Sequence, residues 1–274
     1  MKKKGRVSGT IGFILAVALV GGTVVYSSMF DVFAAGKSSK PFGDATGSVI
    51  TGFTGGDGFS ETKTLVNDTI VQGSGEKYKS YTLDFDISNQ YTTEANGKTV
   101  VTVYNESGTY YYDGAYAYAK VDVSLYTEGK VQVNSYAYIQ NVENGEVWYR
   151  QGTDPQTSTG ADLPVGVEWS KTPWATEGEV GFTFLEIVSG VGEGFCALNN
   201  VKFNFLTGQY EQEIKAANVS ALYSFTVGVM PKIYYCSTIE KAAGVTQYGT
   251  ANVTLTYSNL NNTTVVVPSA VKGE

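Results

Sequence analysis

Chemistry in this chain has to be done with carboxylates, hydroxyls and two thiols, because no histidine occurs among its 274 residues. Serine or cysteine hydrolase systems that rely on an imidazole base are therefore ruled out by inventory, and no Gly-x-Ser-x-Gly elbow is present. Paired acids are the remaining catalytic option, since glycoside hydrolysis needs only two carboxyl groups at a set separation. Glu179, Glu186, Glu193, Asp84 and Asp86 are candidates among its 26 acids, but the sequence does not place them relative to each other, acids on strand faces read as solvated, and no enzyme activity is expected. Asp84-Phe85-Asp86 with Asn89 lacks the ligand spacing of a calcium loop. Cys196 and Cys236 are the only cysteines, without a Cys-x-x-Cys pair, so neither metal nor cofactor is expected. In an oxidising compartment their default is a disulfide, worth roughly 4 kcal/mol on the chain-entropy model for a loop of this size.

Six Asn-x-Ser/Thr triplets, at Asn67, Asn105, Asn218, Asn252, Asn261 and Asn262, are candidate glycan acceptors in an exported chain. A chain rich in Asn, Ser and Thr also produces such triplets by chance. Asn261 and Asn262 overlap, so only one of the two is expected to be occupied.

Export is indicated by residues 1–34. Lys2, Lys3 and Lys4 precede Gly5 and Arg6, and residues 7–26 are apolar on every face, unlike the striped pattern of a soluble helix. A helix over residues 6–34 would be about 43 Å long, more than the ~30 Å of a hydrocarbon core. Basic residues ahead of it keep that end cytoplasmic and place the downstream chain outside. One reading is a secretion signal cleaved between Ala34 and Ala35, for which the apolar stretch is long. In the other, only the basic leader is removed.

The second reading carries a resemblance. Lys3-Lys4-Gly5 followed by Val7-Ser8-Gly9-Thr10-Ile11-Gly12-Phe13-Ile14-Leu15 resembles the amino terminus of archaeal type IV pilins. That resemblance implies cleavage between Gly5 and Arg6 and a filament whose core is a bundle of the retained helices. Arg6 and the helix-weakening Gly21-Gly22 pair depart from the pattern. Residues 18–23, with Phe30-Asp31 after them, are also similar to the signal region of the TasA and camelysin group of secreted biofilm-fibre proteins. This implies loss of residues 1–34 and assembly through a donated strand.

The expected partners are thus further copies of the chain, the membrane during export, and a leader or signal peptidase. The expected location is an extracellular surface filament with an adhesive or biofilm role; a monomeric glycan-binding surface glycoprotein is the alternative. Formal net charge is −7, and Arg150 is the only arginine beyond residues 1–34, so nucleic acid is excluded as a partner.

The elements that must hold any site read as strands. Tyr81, Leu83, Phe85 and Ile87 alternate with Thr82, Asp84 and Asp86, and residues 115–125 alternate likewise. Val101 and Val103 mark another strand. Asp113-Gly114, Glu128-Gly129, Asn144-Gly145 and Thr207-Gly208 suit tight hairpins. The pattern predicts a meander over residues 80–150, a loop over 151–164, and further strands near 180–188, 201–205, 221–229, 251–257 and 263–267. Residues 211–222 read as a short helix or a strand. The predicted fold class is mainly β: one amino-terminal hydrophobic helix, then an antiparallel β-sandwich of about 11 to 13 strands, or two fused sandwiches. The divisions are a leader (1–5), an apolar helix (6–34), a Gly/Ser-rich linker (35–58) and a β domain (59–274). Twenty tyrosines and thirteen phenylalanines supply a large core. Tyr110, Tyr111, Tyr112, Tyr116, Tyr118, Tyr136 and Tyr138 form either a contact face or ordinary strand positions.

Overall fold

The computed structural model describes residues 56–95, 97–152, 169–171 and 183–272. The leader, the apolar run, both cleavage positions (Gly5-Arg6 and Ala34-Ala35), most of the 151–164 loop and Glu179 lie outside the described residues.

The chain is mainly β and antiparallel. Two successive meanders make the sheet: β1 (Tyr81–Ala95), β2 (Lys98–Tyr112), β3 (Tyr116–Thr127), β4 (Lys130–Asn141), β5 (Val147–Gly152) and β6 (Ser170–Lys171), then β7 (Lys202–Asn204), β8 (Gln209–Ala216), β9 (Val219–Thr226), β10 (Lys232–Ile239) and β11 (Gln247–Ser258). A helical segment precedes each meander. The first is α1 (Gly56–Val66), continued by a π-helical turn (Asn67–Val71); the second is α2 (Thr183–Cys196). A four-residue helix, α3 (Ser269–Lys272), closes the described chain.

All eleven strands share one sheet, ordered β6-β5-β4-β3-β2-β1-β11-β10-β9-β8-β7. The first strand pairs with the last, Phe85 opposite Leu255, and so joins the two meanders at the centre. Where two facing sheets were expected, the layer against the described sheet is α1, the π-turn and α2. Phe85 stacks flat on Phe184 of α2 at 4.1 Å between centroids, and Phe59 of α1 stacks on Phe225 of β9 at 5.1 Å.

Residues 183–196 form a helix where a strand was expected. Phe184, Val188, Val191 and Phe195 recur at helical spacing and are all buried. The period-two reading followed only the first half of that stripe. Residues 211–222 fall in β8, β9 and their turn, and residues 263–267 contain no strand. The helix α1 takes in the last three residues of the proposed linker. Gly192 lets the helices pack closely: a β-carbon there would lie 3.0 Å from Ile70 Cδ1 and 3.1 Å from Val66 Cγ1.

Candidate functional site

Three arrangements rise above packing: two buried acids and a cleft.

Asp68 lies in the π-turn, buried, where α1 gives way to the loop leading to β1. β-Branched residues weaken α geometry here, and Thr69 bonds back to the Leu65 carbonyl at 2.7 Å. Gly73 and Gly75, at φ +61° and +60°, then reverse the chain. The loop wraps the carboxylate: Oδ1 accepts from Ser74 Oγ and from the Glu76 amide at 3.0 Å, while Oδ2 accepts from the Lys77 amide at 3.0 Å and the Tyr78 amide at 2.7 Å. Burial opposes its charge, but these donors together outweigh burial and hold the carboxyl below its ordinary range. This acid ties the helical layer to the first strand.

Glu106 is a different kind of acid. It sits in mid-β2 on the face that carries the core, almost fully buried, opposite Val123 on β3 and Ile87 on β1. Tyr104 Oη donates to Oε2 at 2.7 Å and Tyr136 Oη to Oε1 at 3.3 Å. Burial is the dominant cause of its shift and pushes the carboxyl from 4.5 up to about 7, with the two phenols pulling the other way. The phenols are themselves raised by burial and keep their protons.

Sequence reading missed both acids. For Glu106 a signal existed: Tyr104, Glu106, Gly108 and Tyr110 share one face of β2. Val101 and Val103 mark the strand itself but not its inner face, since Val101 is exposed. For Asp68 there was no signal beyond the Gly-Ser-Gly turn a few residues after it.

The cleft, of about 550 Å³, opens between the π-turn and α2. Its walls are Ile70, Leu185 and the rings of Tyr81 and Tyr110; Glu186 and Glu193 stand exposed on α2, seven residues apart and so on one side of that helix. Tyr81 Oη donates to the Thr69 carbonyl at 3.1 Å. Burial raises both phenols, Tyr81 with help from the neighbouring Tyr110, so they stay neutral. A second cavity of about 230 Å³ shares Thr69, Tyr81 and Tyr110 with the cleft and reaches Asp68 and Gln140.

The expected Cys196–Cys236 disulfide does not form: both thiols are free. Cys196 ends α2, on the helical side of the sheet, and its Sγ lies 3.6 Å from the Lys63 carbonyl. Cys236 is exposed in β10, next to the inward-facing Tyr235, and so points to the opposite side. The sheet lies between them. Burial pushes the Cys196 thiol up to about 11, leaving it protonated and a poor nucleophile.

Glu186 and Glu193 reach the cleft, whereas Asp84 lies on the outer face and accepts from Thr109 Oγ1 at 2.7 Å. Asp86, by strand alternation, shares that outer face. No group of three or more His, Cys, Asp or Glu suited to a metal occurs among the described residues. Nor is any described helix long and apolar enough to cross a membrane.

Of the six candidate acceptors, Asn105, Asn252, Asn261 and Asn262 are exposed, while Asn67 and Asn218 are half-buried. Asn105 and Asn252 share one row of the outer face through Ser88, and Asn105 is bonded to Ser88 and Ser124. Asn261 is committed to the fold, accepting from the Lys79 amide and donating to the Lys77 carbonyl. The tyrosine cluster divides. Tyr110, Tyr136 and Tyr138 face inward, while Tyr111 and Tyr118 stack outward at 5.8 Å.

No protein-family model and no curated protein matches this chain.

Proposed function

We propose that this chain is an exported, membrane-tethered binding domain. It holds a small molecule with an apolar or aromatic body and a cationic group in the cleft between the π-turn and α2. Residues 6–34 act as the tether. The observation that carries the reading is the cleft itself: its volume suits a small ligand, its walls are aliphatic and phenolic, and among the described residues its only charged lining residues are Glu186 and Glu193. A cation seated there gains the field of both carboxylates, while its apolar body lies against Ile70 and Leu185.

The test is titration of the full chain in lipid nanodiscs with benzyltrimethylammonium, with benzenesulfonate as the anionic isostere. The cation binds and the sulfonate does not, and Glu186→Gln with Glu193→Gln weakens binding by about tenfold, or ~1.4 kcal/mol. Equal binding of both probes, or an affinity untouched by the double substitution, overturns the reading.

A filament subunit is the second reading, favoured by the Val7 to Leu15 motif and its glycine-ended leader. Helical-core assembly suits it better than strand donation to the open sheet edges. Among the described residues the edge strand β7 has three residues and offers a short template. Mass spectrometry of the mature amino terminus separates the two routes: Arg6 supports retention of the helix, and Ala35 sinks both the tether and the helical core.

A further inference from the structure

The two ends of the sheet differ in what their turns expose. At one end lie the β7–β8 turn (205–208) and the β9–β10 turn (227–231), side by side because their strands are neighbours in the sheet. Phe205 is 78% exposed, Leu206 97%, Val229 91% and Met230 60%, an array of large apolar side chains at hairpin tips. Val266 is exposed at the same end, where Val265 bonds to Asp113 of the β2–β3 turn. Neither hairpin tip carries an acid, and Lys232 comes directly after the second. At the opposite end the turns carry Glu128 and Lys130, then Glu240 and Lys241, and the exposed apolar residues there, Tyr126 at 43% and Val131 at 66%, flank charged tips.

The described chain also enters at the apolar end. Gly58, in the first turn of α1, packs against Val227 of the β9–β10 turn, and Phe59 lies on Phe225. The described chain thus begins at the apolar end, and residues 27–55 join it to the apolar run of residues 7–26. Four large apolar side chains on two adjacent tips are costly to leave in water.

We infer that the tips Phe205-Leu206 and Val229-Met230 are a membrane contact: they insert into the interfacial zone of the bilayer that anchors residues 7–26. In this pose the two hairpins dip to the acyl boundary, and the Lys232 ammonium reaches the headgroup level. The acidic β4–β5 turn, with Glu143 and Glu146, lies beyond β1, β2 and β3 and tilts away from the surface. The inference depends on residues 7–26 remaining attached and not on what the cleft binds.

The full chain is reconstituted into phosphatidylcholine vesicles containing bromine-labelled acyl chains, as Phe205→Trp, Val229→Trp and, at the far end of the sheet, Val131→Trp. Each signal is read as the difference from the unsubstituted chain. The two tip variants give blue-shifted emission and lose more than about half of the added intensity to bromine, as expected for an insertion depth of about 5–10 Å. Val131→Trp is unquenched. Quenching at the tips no greater than at Val131→Trp overturns the inference. So does a blue shift that persists without any bromine dependence, because it shows the tips buried against another protein copy. Unchanged circular dichroism of each variant establishes that the domain is folded, and intact mass shows that residues 7–26 are present.

Discussion

Asp68 and Glu106 are both buried acids on the core side of one sheet, and their carboxyl groups are shifted in opposite directions. Asp68 lies in a loop whose backbone is free to turn its amides inward, so the carboxylate collects four donors and stays charged. Glu106 lies in a strand whose amides are already committed to the ladder on either side. Only side chains can reach it there, and two phenols do not offset burial. The difference is between a site with spare backbone donors and one without.

The largest effect is expected at Asp68. Replacing it by alanine strands three loop amides and the Ser74 hydroxyl, and the expected loss is about 3 kcal/mol, read as a shifted urea midpoint at unchanged slope. A loss below about 1 kcal/mol would mean that water satisfies the loop equally well. Because its folded carboxyl is held below 3.8, its contribution is present above that pH and fades as pH falls through the folded value.

Glu106 runs the other way. Its folded carboxyl titrates near 7 against 4.5 when exposed, so its contribution is complete below pH 4.5 and declines as pH rises through 7. The full change is about 3 kcal/mol, comparable to the effect at Asp68 but reached only at high pH. Glu106→Gln keeps an acceptor without the charge. It should melt higher than the unsubstituted chain at pH 8 and match it near pH 5; parallel melting curves across that range would show that Glu106 does not titrate.

The smallest effect bears on the same contrast. Tyr136→Phe removes the longer of the two phenol bonds, so the Glu106 carboxyl should rise further, and stability should fall by about 1 kcal/mol at pH 8. A titration of Glu106, observed by NMR, that does not move in this variant would assign the shift to burial alone.

Much of the sheet was legible in the residue pattern. Alternation placed β1 and β3, and Asp113-Gly114, Glu128-Gly129, Asn144-Gly145 and Thr207-Gly208 marked four turns that the structure contains, each glycine at positive φ. The misreadings share a cause. In residues 183–196 three glycines and scattered valines mask a helical stripe, and in β2 both faces carry apolar residues, so periodicity alone does not say which is inward. The cleft was out of reach because its walls come from α1's continuation, α2, β1 and β2, far apart in the chain.

What the sequence determined by itself is what depends on neighbours in the chain: strands, turns, the absence of imidazole chemistry and an apolar run apart from the rest. The tertiary structure alone decided which side of each strand meets the helices. That choice set Cys196 and Cys236 on opposite sides of the sheet, buried Glu106 among phenols, and gathered Phe205, Leu206, Val229 and Met230 at one end. Period-two alternation specifies two faces without naming the inner one. Only the packing of distant segments removes that symmetry.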